Sequence, residues 1–313
     1  MELVDIPVNP VPSGAVSGMI ETADGRRIRF ARWRPTARKS LGTVCLFTGR
    51  AEFIEKYFET ISDLRRRGFH VVAMDWRGQG GSDRLCADPL LGHIETFEHY
   101  ERDVECLMTQ VALPDSPPPY FALAHSMGGT VMLSLATRAG CWFERIVLSA
   151  PMIRIYGHHG LLTATAEILN FFGFGGLRVP GGGRKARVSG AFAGNPFTSD
   201  PARFERTAAV LEAAPQLGLG APTVGWFHAA CRVTARLNDA GFPYKIRTPV
   251  LIIAAGSDKV VSTPAIERFA LHMRNGKHLL IPGARHEVLM ERDGIRELFW
   301  AAFDSFIPGQ PVF

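Results

Sequence analysis

Ser126 has the sequence context that nucleophilic catalysis by a serine requires. It lies between an apolar run that predicts a strand, 120–125, and a segment that predicts a helix, 128–139. A serine on a sharp turn between a strand and a helix needs small residues two positions to either side, because the turn brings their backbones together. Ala124 and Gly128 meet this need, although glycine is more usual at the first position. We therefore predict that Ser126 is a nucleophile, with an ordinary structural turn as the alternative.

Asp258 and His286 have the residue types and positions needed to activate that serine. A serine hydroxyl is a weak nucleophile, so it needs a base within hydrogen-bond reach and an acid that orients the base. Asp258 follows the predicted strand 250–255, and His286 follows the predicted strand 277–281. Open α/β sheets place their sites at the carboxyl ends of the strands, and the order nucleophile, acid, base matches this arrangement. We predict that Asp258 and His286 complete a triad with Ser126.

The oxyanion that forms when a serine attacks needs two hydrogen-bond donors. In an α/β sheet with a serine turn of this kind, they are backbone N–H groups, one just after the nucleophile and one after an early strand. Met127 supplies the first N–H group. Arg50, in the turn after the predicted strand 43–48, is our choice for the second, with an ordinary turn as the alternative. The guanidinium of Arg50 is also a candidate to bind a substrate phosphate, because it can do so bidentately. A surface ion pair of Arg50 with Glu52 or another neighbour is the alternative.

Short apolar runs that alternate with amphipathic segments predict an α/β fold with a mostly parallel sheet. Two antiparallel strands are predicted within 16–34, around an Asp24-Gly25 turn that supplies positive φ angles. The alternation stops between 151 and 248, so we predict a core formed by 1–150 and 249–313 and an inserted cap at 151–248. The remaining predicted strands are 69–75 and 145–149, and the remaining predicted helices are 53–67, 97–112, 263–274 and 292–306.

The composition excludes several classes of protein. The chain is 46% hydrophobic and 21% charged, with a net charge of +5, which is typical of a globular protein and too mild to indicate nucleic-acid binding. Its five cysteines form no C-x-x-C pair, so neither a disulfide framework nor a zinc ribbon is predicted, and we expect no metal. The acidic start lacks the pattern of a signal peptide, and no long uncharged apolar run occurs. We expect a cytoplasmic protein.

The predicted cap contains an apolar stretch, 161–177, followed by cations. An apolar face beside cations is typical of peripheral contact with an anionic membrane. We expect this contact to be with the inner face of the membrane. A buried cap helix followed by a solvated loop is the alternative. The residues concerned are Leu161, Leu162, Ile168, Leu169, Phe171, Phe172 and Phe174 on the apolar face, with Arg178, Arg184, Lys185 and Arg187 beside it.

From about residue 16 to 307 the chain resembles the α/β-hydrolase superfamily, and within it the bacterial lysophospholipases related to monoacylglycerol lipases. Beside the serine turn, the resemblance rests on three segments: TGRAEFIEKY at 48–57, DWRGQGGS at 75–82 and GARHE at 283–287. Thr48 stands where monoacylglycerol lipases have a histidine. The resemblance implies a serine esterase without a cofactor, whose acyl pocket lies under a cap inserted after the sixth strand.

We therefore expect a serine carboxylic-ester hydrolase that cleaves lysophospholipids, a small-molecule lipid ester, through an acyl-enzyme. A monoacylglycerol lipase or a general carboxylesterase is the main alternative. A proline-type aminopeptidase needs an acidic anchor for the substrate amine, and the Leu- and Phe-rich cap offers few candidates. A ligand receptor without turnover on the same fold is a further alternative, against which a complete triad argues. The oligomeric state is left open.

Overall fold

The computed structural model describes residues 2–157, 160–183 and 191–308, and the side chains of 160–163 are outside this description. Its central element is one eight-stranded sheet. The strands are β1 (Val16–Glu21), β2 (Arg27–Trp33), β3 (Thr43–Phe47), β4 (His70–Met74), β5 (Tyr120–His125), β6 (Arg145–Ser149), β7 (Val250–Ala255) and β8 (Gly276–Ile281). They are ordered β1-β2-β4-β3-β5-β6-β7-β8.

The sheet is parallel from β4 to β8, and the antiparallel pairs are β1 with β2 and β2 with β4. This confirms the mostly parallel sheet with an antiparallel N-terminal hairpin. The hairpin turn differs from our expectation, because Gly25 has a positive φ of 74° and Asp24 does not. The Asp24 carboxylate instead accepts a hydrogen bond from the Thr22 hydroxyl at 2.6 Å and pairs with Arg77.

Every residue of β3 and β7 is buried, which explains why these strands are continuous apolar runs rather than alternating ones.

Two predicted helices are subdivided. The first begins as a 3-10 segment, Ile54–Tyr57, and the second ends in a π-helical turn, Met108–Ala112. The helices are α1 (Phe58–Arg66), α2 (Glu98–Leu107), α3 (Leu113–Asp115), α4 (Met127–Leu135), α5 (Gly160–Phe171), α6 (Pro201–Ala213), α7 (Val224–Leu237), α8 (Thr263–Leu271) and α9 (Asp293–Phe306).

The insertion between β6 and β7 contains α5, α6 and α7. Helix α7 packs its buried face, which includes Trp226 and Ala230, into the main hydrophobic core. The α5 helix lies against α7. The insertion is also attached to the core by main-chain hydrogen bonds, since Gly92 both donates to Ala221 and accepts from Thr223. Within the part of the chain that the structure describes, no helix combines the length and the apolar content needed to cross a bilayer.

A buried ionic cluster fixes the loops on one side of the sheet. Arg29, on β2, is fully buried and pairs with Glu55 and Asp75, at 2.7 Å to each. Asp75 also accepts hydrogen bonds from the backbone N–H groups of Ile54 at 2.9 Å and Gly81 at 2.7 Å. Irregular backbone needs such acceptors when it is buried. Arg29 therefore joins β2, the 3-10 segment before α1 and the loop after β4 into one rigid region.

Candidate active site

Ser126 occupies the sharp turn between β5 and α4 that the sequence predicts. Its φ of 50° and ψ of −113° are an uncommon conformation for a residue with a side chain. Three backbone hydrogen bonds maintain it: Ser126 donates to Ser149 at 3.0 Å, and its carbonyl accepts from Met152 at 3.0 Å and from Thr130 at 3.3 Å. The turn thus presents the serine hydroxyl at the carboxyl edge of the sheet.

Two glycines allow the chain after β3 to approach this turn closely. A Cβ atom on Gly128 would lie 2.7 Å from the carbonyl oxygens of Phe47 and Thr48. A Cβ atom on Gly49 would lie 2.9 Å from the His125 ring and 3.2 Å from the Ser126 Cβ. No larger residue fits at Gly128 without moving backbone, which is the steric reason for the small residue predicted there.

His286 and Asp258 lie beside Ser126, as predicted from their positions after β8 and β7. The His286 Nε2 atom is 2.9 Å from the Ser126 Oγ, and its Nδ1 atom is 2.7 Å from the Asp258 Oδ2. The other Asp258 oxygen, Oδ1, accepts hydrogen bonds from the backbone N–H groups of Val260 at 2.7 Å and Val261 at 2.9 Å. All three side chains are buried.

This geometry defines the protonation states that the site favours. Burial alone raises the pKa of the Asp258 carboxyl, but the hydrogen bond and the charge of His286 outweigh this effect and lower it. A carboxylate at Nδ1 holds the imidazole proton on that nitrogen, so Nε2 is the acceptor that faces the Ser126 hydroxyl. The arrangement can therefore remove a proton from Ser126 and stabilise the imidazolium that results.

The turn that contains Arg50 is held by side chains on both sides of that residue. Gln79 donates from its Nε2 to the Gly49 carbonyl at 2.8 Å and accepts from the Ala51 N–H at 3.2 Å. The Gly49 N–H donates to the Glu52 carboxylate. On the other side of the proposed oxyanion site, Met127 is the first residue of α4, where backbone N–H groups lack helical partners. Both predicted donors thus belong to fixed backbone.

The Arg50 side chain extends toward the insertion. Its guanidinium donates to the Gly220 carbonyl at 2.8 Å and lies over the Trp226 ring, 5.0 Å from the ring centre. Glu52, the partner considered from the sequence, is buried and accepts hydrogen bonds from Lys56 at 2.8 Å and Tyr57 at 2.7 Å. Arg50 therefore lies at the boundary between the turn after β3 and the insertion.

Sequence reasoning missed a group of buried polar residues next to the triad. His125 lies with its ring centre 4.7 Å from that of His286, and Glu52, Lys56 and Glu287 follow beyond it. In the sequence, Lys56 stands out only through the family resemblance, and Glu52 through that resemblance and as a possible partner of Arg50. The four-residue spacing of Glu52 and Lys56, together with a second acid directly after His286, is the signal in the sequence that favours such a cluster.

The match to a family extends over most of the fold. A sequence profile of the Hydrolase_4 family, described as "Serine aminopeptidase, S33", matches residues 38–293. The chain belongs to the Hydrolase_4 family. Lysophospholipase L2 of Escherichia coli strain K12 is 32% identical over 294 residues, which cover 89% of this chain and 83% of that protein. Monoacylglycerol lipase of Mycolicibacterium smegmatis is 30% identical over 149 residues, which cover 46% of this chain and 50% of that protein.

Solved structures confirm the α/β-hydrolase fold. A soluble variant of monoglyceride lipase from Saccharomyces cerevisiae, in complex with a substrate analog, superimposes with a TM-score of 0.73 at 20% identity, covering 93% of this chain and 96% of that one. A carboxyl esterase from Bacillus coagulans also gives 0.73, at 19% identity, covering 95% and 98%. With the sequence relatives, these findings make the chain a hydrolase of esters.

The buried His125 makes the stability of this protein depend on pH. Burial lowers the pKa of His125 to about 4, although the Glu52 carboxylate acts in the opposite direction. The unfolded chain takes up a proton on this histidine near pH 6.5, so its contribution to stability is complete above that pH and is lost as the pH falls toward 4. His125→Asn should remove about 2–4 kcal/mol of the decrease in unfolding free energy between pH 7 and 4, measured by urea denaturation.

The exposed His278 provides the control for this measurement. His278→Asn should leave the pH dependence of the wild-type protein unchanged. Parallel stability curves for wild-type and His125→Asn protein over this pH range would contradict the assignment of a buried neutral histidine.

Proposed function

We propose that this protein hydrolyses the acyl ester of lysophospholipids through a Ser126-His286-Asp258 triad. Its relatives make it a lipid ester hydrolase. The observation that supports the mechanism is the continuous hydrogen-bond chain from the Ser126 Oγ through His286 to Asp258, with distances of 2.9 and 2.7 Å. The likeness over 89% of the chain to a protein named lysophospholipase L2 supports the substrate class.

In the proposed reaction, the Ser126 Oγ attacks the ester carbonyl as His286 Nε2 takes its proton. The backbone N–H groups of Met127 and Arg50 stabilise the oxyanion. The imidazolium then gives its proton to the leaving alcohol, which leaves an acyl group on Ser126. Water, activated by the same imidazole, attacks the acyl-enzyme and releases a fatty acid. Asp258 holds the imidazole in the required tautomer through both steps.

A monoacylglycerol lipase is the second candidate function. The observation that favours it is the 30% identity to a protein named monoacylglycerol lipase, over 149 residues. The two functions share the chemistry at Ser126 and differ in the group esterified to the glycerol. Discrimination between them therefore depends on residues outside the triad.

Substitution of the triad residues tests the mechanism. Ser126→Ala should abolish labelling by a fluorophosphonate probe and reduce kcat by about 10⁴-fold or more, because the nucleophile is lost. Asp258→Asn should fold normally and reduce kcat by about 10³- to 10⁴-fold, because the imidazole then adopts the wrong tautomer. For the wild-type enzyme, kcat/KM should rise with pH as the imidazole loses its proton. Labelling of another serine in Ser126→Ala would refute the assignment.

We propose that the Arg50 guanidinium contacts the phosphate of the substrate. Its place at the boundary of the proposed oxyanion turn and the insertion supports this role, because it puts a cation directly beside the proposed site of the ester carbonyl. A guanidinium binds phosphate bidentately, in a geometry that lysine lacks. The contact would distinguish lysophospholipid from the uncharged monoacylglycerol.

Arg50→Gln should lower kcat/KM for lysophosphatidylglycerol by about tenfold. The kcat/KM for a monoacylglycerol with the same acyl chain should change little. Arg84 provides a matched control, since it also donates to a carbonyl of the insertion, that of Gly218, at 3.2 Å. Arg84→Gln should affect both substrates alike. If Arg50→Gln lowers kcat/KM for the two substrates equally, the guanidinium only anchors the insertion. A wild-type preference for the monoacylglycerol would favour the second candidate function.

We propose that the insertion, 151–248, is a cap that binds the acyl chain and touches the membrane. A cluster of exposed apolar side chains at the end of α5 and beyond supports this proposal. Of the cations predicted beside it, Arg178 pairs with Asp88 at 2.9 Å, whereas Arg184, Lys185 and Arg187 lie outside the described residues. The side chains of Leu161 and Leu162 also lie outside them. The exposed apolar residues are Ile168, Phe171, Phe172, Phe174 and Leu177.

Vesicle co-sedimentation of variants tests membrane contact. Phe171→Ser with Phe172→Ser should weaken binding to mixed phosphatidylcholine and phosphatidylglycerol vesicles by about tenfold, because these rings would insert into the interface. Leu271, on α8, is as exposed as Phe171, at 83%, and lies outside the insertion, so Leu271→Ser is the control and should bind normally. Equal binding of all three proteins would exclude docking through this cluster.

A further inference from the structure

Three charged residues, of which Glu52 and Lys56 are buried and Glu287 is partly buried, form a connected cluster between the proposed oxyanion turn and the loop that contains the proposed base. The Lys56 ammonium is 2.8 Å from the Glu52 Oε1 and 2.7 Å from the Glu287 Oε1. The side chains of Lys56 and Glu52 are 3% and 4% exposed, and that of Glu287 is 12% exposed. We call Glu52, Lys56 and Glu287 the relay cluster.

Each end of the relay cluster is attached to backbone at the site. Glu52 accepts a hydrogen bond from the Gly49 N–H, in the turn that contains Arg50. Glu287 directly follows His286, and its own N–H donates to the Phe197 carbonyl at 2.8 Å. Lys56 is thus a bridge between two loops that β3 and β8 contribute from different parts of the sheet.

The pKa values of Lys56 and Glu52 both favour the charged forms at neutral pH. The two carboxylates hold the pKa of Lys56 above its usual value, although burial acts against them. Burial raises the pKa of the Glu52 carboxyl, but the charge of Lys56 outweighs this effect and lowers it. Two carboxylates and one ammonium leave a net negative charge. Glu52 lies 3.8 Å from the His125 Nε2, and His125 in turn contacts the His286 ring.

We propose that Lys56 is a positioning residue, which keeps the oxyanion turn and the His286 loop at the separation that the chemical step requires. The proposal rests on the proposed function of Ser126 and His286. A buried ion pair contributes little net stability but fixes geometry, and small displacements of reacting groups reduce rates strongly. In this role, Lys56 touches neither the substrate nor the reacting atoms. Its effect is transmitted through Gly49 on one side and through Glu287 on the other.

Lys56→Met retains the length of the side chain and removes its charge. We expect kcat on a monoacylglycerol to fall by about 10- to 100-fold while KM changes less than about threefold, because the proposed substrate contacts remain in place. Values are expressed per serine labelled by the fluorophosphonate probe, which removes any contribution from unfolded protein. Lys56→Arg should recover most of the loss. Lys277→Met, at an exposed position on β8, should behave as wild type.

The pH dependence of kcat/KM in the variants distinguishes positioning by this charged bridge from a simple packing defect. The charged and titratable groups around His286 are Asp258, His125 and the relay cluster. Lys56→Met removes a cation, so the imidazolium is favoured and the acidic limb of kcat/KM should move to higher pH. Glu287→Gln removes an anion and should move the limb to lower pH, with a similar loss of kcat.

Shifts in opposite directions, together with losses in kcat, would support the proposal. Unchanged kcat per labelled serine in Lys56→Met, or losses of kcat without movement of either limb, would overturn it. Failure of the proposed function gives a different result, since the wild-type protein itself would then not be labelled at Ser126.

Discussion

The close approach of the chain after β3 to the turn after β5 is the constraint on which the site depends. Gly128 lies against the carbonyls that end β3, and Gly49 lies against His125 and Ser126. The Gly128 contacts are with main-chain carbonyls and the Gly49 contacts are with side chains, so an added methyl group at Gly128 would push the two turns apart. Because they meet, an N–H group after β3 and one at the start of α4 can serve the same oxyanion. The serine alone would not assemble such a site.

Buried carboxylates maintain the loops around this contact. Asp75, Glu52 and Asp258 each accept at least one backbone N–H from an irregular segment, and Glu291 accepts those of Ser199 and Arg285. Buried loop backbone needs such partners because no strand or helix supplies them. An anion attracts several N–H groups at once, and it therefore fixes a loop more firmly than an uncharged acceptor does. The site is therefore held by hydrogen bonds in its loops as well as in its strands.

The insertion is attached to the core at the loops that contain the proposed base and the proposed oxyanion donor. Arg285, directly before His286, donates to the carbonyls of Asn195 and Thr198 at 2.9 and 2.8 Å. At the other side, Arg50 donates to Gly220. The proposed base and the proposed oxyanion turn therefore both contact the segment that would form the acyl pocket.

The sequence by itself predicted the sheet, its parallel direction and the positions of Ser126, Asp258 and His286, because apolar periodicity and turn residues are local signals. It did not reveal that His125, Lys56 and Glu287 lie close together, since contacts between residues far apart along the chain depend on how strands are ordered in the sheet. Nor did it indicate the direction of the Arg50 side chain. Those features were decided by tertiary packing, which brings the ends of β3, β5, β7 and β8 to one edge.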